Sequence, residues 1–139
     1  MTDVFTPEKR RRIMARVKGA DTRPEILVRS LVHRMGFRFR LHRRELPGCP
    51  DLVLRKHGKV IFVHGCFWHG HQGCRRSGRP SSNMEFWNRK LSGNMERDAR
   101  NQESLRKDGW KVLVVWECET KDREKLKAIL RDFLVEPRP

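Results

Sequence analysis

Asp51-Leu52-Val53-Leu54-Arg55-Lys56-His57-Gly58-Lys59-Val60-Ile61-Phe62-Val63-His64-Gly65-Cys66-Phe67-Trp68-His69-Gly70-His71-Gln72-Gly73-Cys74 decides how this chain is read. Its first half holds two short apolar runs, Leu52–Leu54 and Val60–Val63, with a Lys56-His57-Gly58 spacer that suits a hairpin turn. Antiparallel pairing of such strands brings Asp51, at the start of one, beside His64, just past the end of the other. The second half crowds three histidines, two cysteines and two large aromatics between His64 and Cys74. Thiolate and imidazole are the ligands that Zn²⁺ prefers, and Cys66-x₄-His71-x₂-Cys74 spaces three of them on one tight loop. Cys118 is available as a fourth, which would make a closed Cys₃His set; Cys49, between Gly48 and Pro50, is the competitor. The alternative is unrelated thiols and a surface histidine, which this spacing disfavours.

Working outward, Leu46–Pro50 reads as a loop, and Phe37, Phe39 and Leu41 alternate with Arg38, Arg40 and His42 as in a half-buried strand. Upstream, Thr22-Arg23-Pro24-Glu25 fits a capping box opening a helix with Leu27, Val28, Leu31, Val32 and Met35 on its apolar stripe. On the residues alone, capping explains Glu25 better than chemistry does. Thr6-Pro7-Glu8 starts an earlier, strongly basic helix that carries Met14 and stops near Gly19. Downstream, Ser82-x-x-Glu85 predicts a short helix with Phe86, Trp87 and Leu91, broken near Gly93, and Asn94 caps a second helix to about Asp108. Val112–Trp116 is continuously apolar, the mark of a central strand covered on both faces. Thr120 or Asp122 begins a last helix with Leu126, Ile129, Leu130, Phe133 and Leu134 facing inward. The order α-α-β-β-β-(metal loop)-α-α-β-α predicts an α/β domain spanning 1–139, a sheet flanked by helices, its last strand parallel to an earlier one.

The chain has 139 residues and a net charge of +15, from 32 Lys or Arg against 17 Asp or Glu. Residues 1–44 alone hold 13 basic and 4 acidic side chains, so residues 1–20 are expected to touch a polyanion, above all nucleic acid. Nothing resembles a signal peptide, and no apolar run approaches a membrane span. The expectation is a cytoplasmic monomer, where four cysteines point to metal more than to disulfides.

Asp51 could hold Mg²⁺ through its carboxylate, although an Asp after Pro is often only a turn residue. His69 lies between two proposed zinc ligands without being needed as one, and an imidazole suits a proton acceptor near neutral pH. His64, beside Gly65, could neutralise a phosphate oxygen. Phe67 and Trp68, pinned in a ligated loop, suit stacking on or between bases; for Trp87, core packing is an even alternative. Trp110 and Trp116 are expected in the core.

Leu46-Pro47-Gly48…Pro50-Asp51, Val63-His64-Gly65-Cys66-Phe67-Trp68-His69, Phe86-Trp87, Asn94…Glu96-Arg97-Asp98 and Gly109-Trp110…Val115-Trp116-Glu117-Cys118 closely resemble the very short patch repair (Vsr) DNA mismatch endonucleases, in order, from about Met14 to Leu126. The resemblance implies a restriction-endonuclease-like fold with a structural zinc. It implies Mg²⁺-dependent nicking 5′ to the thymine of T·G mismatches left by 5-methylcytosine deamination. A cytosine methyltransferase and mismatch-repair proteins would be its partners in the cell. By position, Asp51 and the Val63 carbonyl would hold Mg²⁺, His69 would activate water, Asp98 would orient His69, His64 would assist at the phosphate, and Glu25 would act in the metal's outer shell. Phe67, Trp68 and Trp87 would enter the duplex from the major groove and Met14 from the minor groove. Cys49 stands where many relatives have Arg, and Gly73 fits a zinc loop one residue longer than in some. A single carboxylate implies weak Mg²⁺ binding that DNA phosphates complete. Two rivals remain on the sequence: a zinc module that binds DNA without cutting it, and a nicking nuclease without mismatch preference.

Overall fold

The computed structural model describes residues 22–74, 78 and 82–135. Residues 1–20, where a basic helix carrying Met14 is expected, lie outside them. Among the described residues, three helices and four strands form a mixed α/β layer structure. Helix α1 (Arg23–Arg34) is followed by β1 (Arg40–Leu41), β2 (Leu52–Leu54) and β3 (Lys59–His64), then α2 (Met84–Lys107), β4 (Lys111–Trp116) and α3 (Arg123–Leu134). The sheet order is β1-β2-β3-β4, antiparallel except for the parallel β3–β4 pair, as the crossover helix requires.

Strand periodicity divides the core. Leu52, Leu54 and Ile61 point to one face, with Val115, and meet Val28, Leu31 and Val32 of α1 and Leu126, Leu130 and Leu134 of α3. Val53, Val60 and Phe62 point to the other and meet Leu105 of α2, with Trp110, Val112 and Val114 alongside. Because both faces are covered, β2 and β3 read as unbroken apolar runs. The hairpin turn is a 3₁₀ turn, Arg55–His57, closed by Gly58 at φ 66°.

Five local expectations are corrected. Val112–Trp116 is an edge strand of this sheet, not a central one. Continuous apolarity reports covered faces and says nothing about a strand's edges. Residues 37–42 pair only at Arg40 and Leu41; Phe37 and Phe39 pack against the core as expected, but Leu41 is exposed and the chain turns left-handed at His42 (φ 46°). Gly93 does not break a helix, and α2 runs through it for 24 residues. Packing of Leu91 and Leu105 overrides the local propensity there. At its start, Asn83 occupies the cap position in a left-handed conformation with no side-chain cap bond, so the Ser82 capping box does not form. Asn94 lies inside the helix, and its amide instead donates to the Trp68 carbonyl at 3.0 Å.

Two helix starts do follow the sequence. Thr22 Oγ1 accepts from Glu25 N at 3.4 Å, and Asp122 Oδ1 accepts from Lys125 N at 3.2 Å. A feature the sequence hid is Lys59, fully buried in β3. Its ammonium donates to the Leu134 carbonyl at 3.1 Å, at the negative end of α3, and lies 5.6 Å from the Phe133 ring centroid.

Two stability outcomes follow. A Cβ at Gly93 would meet nothing, so Gly93→Ala should raise stability by roughly 0.5–1 kcal/mol in denaturant titration. Lys59→Ala removes a buried stem and a charged hydrogen bond and should lower it by about 2–4 kcal/mol in the same measurement.

Candidate metal centre and active site

The parallel register sets His64 opposite Trp116. Two residues beyond each lie Cys66 and Cys118, so the ends of neighbouring strands deliver two thiols to one place. Cys118 N donates to Cys66 Sγ at 3.4 Å. The loop after Cys66 then folds back: His69 N donates to Gly65 O, and His71 N to Cys66 O at 2.9 Å. This return places His71 Nδ1 3.4 Å from Cys118 Sγ. The donor atoms of Cys66, His71, Cys74 and Cys118 all lie within 4.8 Å of one another. Three thiols and an imidazole, without a carboxylate, fit a thiophilic ion in a tetrahedral shell. Burial pushes the Cys66 thiol up to about 12, so metal would have to displace its proton. The His71 ring stacks on Trp116 at 4.2 Å and 9°, so Trp116 is the floor of this cluster and only half buried, not the core residue expected. Cys49 does not join the cluster; it lines the cleft on the Asp51 side.

Gly70 fixes the same loop from outside. It adopts φ +64°, and a Cβ there would sit 2.5 Å from Met95 Sδ of α2. With the Asn94–Trp68 bond, this seats the loop on the middle of α2.

The second centre is a cleft of about 520 Å³ at the ends of β2 and β3. Asp51 and His64 line it together, as the hairpin geometry requires. Asp51 Oδ2 accepts from Val63 N at 2.6 Å, which clamps the carboxylate to the strand beside it. Burial pushes the Asp51 carboxyl up to about 7; the Val63 amide works against this, and the nearby Glu25 charge adds to it. His64 is buried, and burial, then its neighbour His69, brings it down to about 4. The two imidazoles stack at 3.8 Å and 7°. His69 Nδ1 lies 2.6 Å from Asp98 Oδ2, contributed by α2. With Nδ1–H donating to that carboxylate, Nε2 keeps its lone pair. This pairing, across 29 residues of sequence, is what no spacing could show.

Glu25 reaches the cleft from α1. Its carboxylate is 3% exposed and takes Arg29 at 3.0 Å and His42 Nε2 at 3.3 Å. His42 Nε2 is also 3.6 Å from Asp51 Oδ1. Sequence reasoning missed His42 and Arg29. Arg29 was open to detection as the i+4 partner of Glu25. His42 carried no signal, since alternation put it on the polar face of a strand. The Glu25 backbone N–H donates to the Thr22 cap, while its carboxylate is turned to Arg29 and His42 at the cleft.

Beside the cleft stand the aromatics. Phe67, Trp68 and Trp87 pack mutually, with centroids 5.0, 5.6 and 6.0 Å apart, and Trp87 is only half buried. Phe86, given no site role from the sequence, extends the group 5.3 Å from Trp87 and is 57% exposed. Thus Trp87 belongs to a half-exposed ring cluster and not to either core.

Residues 2–76 match the family model described as DNA mismatch endonuclease Vsr. The chain is 51% identical over 134 residues to the type II nicking enzyme V.XorIIP of Xanthomonas oryzae pv. oryzae, covering 96% of this chain and 98% of that one. It is 45% identical to V.NmeAIP of Neisseria meningitidis, covering 96% and 97%. It is 42% identical over 126 residues to the DNA mismatch endonuclease Vsr of Escherichia coli K12, covering 91% and 80%. On these matches, the chain, whose Cys- and His-rich loop, Asp51 cleft and ring cluster stand on one folded unit, belongs to the Vsr family of DNA mismatch endonucleases.

Proposed function

We propose that this protein nicks one strand of DNA 5′ to the thymine of a T·G mismatch, as arises when 5-methylcytosine deaminates. The observation that carries the reading is the opening of Asp51 and the His69–Asp98 pair into one cleft, flanked by the half-exposed rings of Phe67, Trp68 and Trp87. A DNA-binding module without chemistry has no use for a buried carboxylate facing a carboxylate-oriented imidazole.

Asp51 and the Val63 carbonyl would hold Mg²⁺, which when bound would polarise the scissile phosphate and offset its charge. His69 accepts the proton of the attacking water at Nε2, and Asp98 holds the ring and balances the positive charge it gains. His64, stacked behind His69, hydrogen-bonds the phosphate. Glu25 orders water around the metal from the outer side. Cys66, His71, Cys74 and Cys118 would hold zinc, with a stabilisation on the order of 10 kcal/mol in a small domain. The surrounding scaffold is read as a restriction-endonuclease-like core within a single domain of residues 1–139.

Phe67, Trp68 and Trp87 enter the duplex from the major groove, with Met14 of the basic N-terminal helix opposite in the minor groove. Wedging costs a few kcal/mol of unstacking, and a mispair lowers that cost. Selectivity then rests partly on deformability of the duplex. In a bacterial cytoplasm, acting as a monomer, the enzyme would serve alongside a cytosine methyltransferase and mismatch-repair proteins. Among the described residues no helix is long and apolar enough to cross a membrane.

Cleavage of a labelled T·G duplex with Mg²⁺ tests the chemistry. Asp51→Asn and His69→Ala should each slow nicking by about 10²–10⁴-fold. Without metal, Asp51→Asn should melt no lower than the parent, because it removes a buried charge; cutting at the parental rate would reject the assigned role. Trp68→Ala should narrow the rate gap between T·G and fully paired duplexes, and equal parental rates on both would remove the repair reading. Elemental analysis of Cys118→Ser should show lost zinc and a lower melting temperature.

A further inference from the structure

The position of His42 at the cleft is unexplained by the reading above. Its backbone is left-handed at φ 46°, a conformation that costs an ordinary residue about 1–2 kcal/mol, and it swings the ring out of the strand pattern toward the carboxylates. Glu25 Oε2, His42 Nε2 and Asp51 Oδ1 converge: Nε2 stands 3.3 Å from the first and 3.6 Å from the second, and all three lie within 4.8 Å of one another. At 3.6 Å the His42–Asp51 pair is too long for a hydrogen bond. Two ligands at right angles around an ion with bonds of about 2.2 Å stand about 3.1 Å apart, a little closer than the 3.6 Å between His42 Nε2 and Asp51 Oδ1. Arg29 Nη2 lies 3.0 Å from Glu25 Oε2 and 3.4 Å from His42 Nε2, so the guanidinium already supplies that carboxylate's counter-charge, and an ion on Nε2 would have to displace it from the imidazole. Both carboxylates are buried, while the His42 side chain is 25% exposed at the cleft wall.

We propose that His42 is a direct nitrogen ligand of the divalent cation held by Asp51, and that it shifts this site's preference from Mg²⁺ toward Mn²⁺. The inference rests on the reading of Asp51 as the metal ligand. Oxygen-only sites suit Mg²⁺, whereas an imidazole favours first-row transition ions, increasingly along the series from Mn²⁺. A single carboxylate would leave the ion dependent on DNA phosphates, and His42 gives this chain a second protein side chain to hold it.

The test uses the zinc-loaded full chain bound to its nicked T·G duplex, with Mn²⁺ as the probe. Bound Mn²⁺ is measured by loss of the free-ion paramagnetic signal, and its ligands by pulsed electron spin-echo modulation. The parent should show directly coordinated ¹⁴N, abolished in His42→Gln and in the smaller His42→Asn while Mn²⁺ still binds. Mn²⁺ affinity should fall roughly tenfold in both variants, and Mg²⁺ affinity, read by competition, should fall less. Absence of ¹⁴N coupling in the parent, or the same coupling in both His42 variants, overturns the ligation and leaves Asp51 as the metal residue. An equal fall in Mg²⁺ affinity overturns the preference. If the parent binds no more Mn²⁺ than Asp51→Asn does, the metal reading of Asp51 fails with it.

Discussion

Everything at the working end of this molecule depends on how β3 pairs. Its parallel ladder with β4 fixes which residues emerge side by side, Cys66 with Cys118. Its antiparallel ladder with β2 fixes the other junction, where the Val63 amide holds Asp51 at 2.6 Å. A slip of one residue in either ladder would turn every side chain to the opposite face and separate both pairs. The register is held by burial on both sides of the strand, with Ile61 facing one core and Val60 and Phe62 the other. Hydrophobic packing therefore specifies the polar geometry of the cleft, without any polar residue having to find its partner unaided.

The loop between these junctions behaves as an extension of the sheet. Cys66, His71 and Cys74 tie it to Cys118, while Gly70 and the Trp68 carbonyl seat it on α2. The same helix supplies Asp98 to His69. Loop, imidazole and carboxylate are thus fastened to one rigid rod, which limits the freedom of the ring cluster beside them. Electrostatics set a contrast. The chain carries +15 overall, yet its cleft gathers Glu25, Asp51 and Asp98. Three carboxylates thus share a cleft with Arg44 and three histidines inside a strongly basic chain, a charge pattern opposite to that of the chain as a whole.

Much of this was legible because short-range rules govern it. Ligand spacing exposed the Cys66–Cys74 loop, and two short apolar runs about a hairpin turn predicted that Asp51 and His64 would meet. Asp98 was beyond such rules, since its distance from His69 is bridged only by the tertiary placement of α2; resemblance to a family, not spacing, named it. His42 escaped because one left-handed residue breaks the two-residue period on which strand reading relies. Gly93 misled in the opposite way: a local preference worth about 1 kcal/mol was outweighed by the burial of Leu91 and Leu105 on either side of it. For β4, the side-chain pattern told that both faces meet a core, although only Val115 is buried there, and could not say that the strand ends the sheet.

The buried ammonium of Lys59 marks the other pole of the molecule. It sits at the first residue of β3, and His64 is the last, so five residue steps of about 3.3 Å part them. The close of α3 is therefore anchored some 16 Å from the cleft. A fluorophore or tether attached near the close of α3 would therefore sit at that far pole, giving single-molecule experiments a handle remote from the Asp51 cleft.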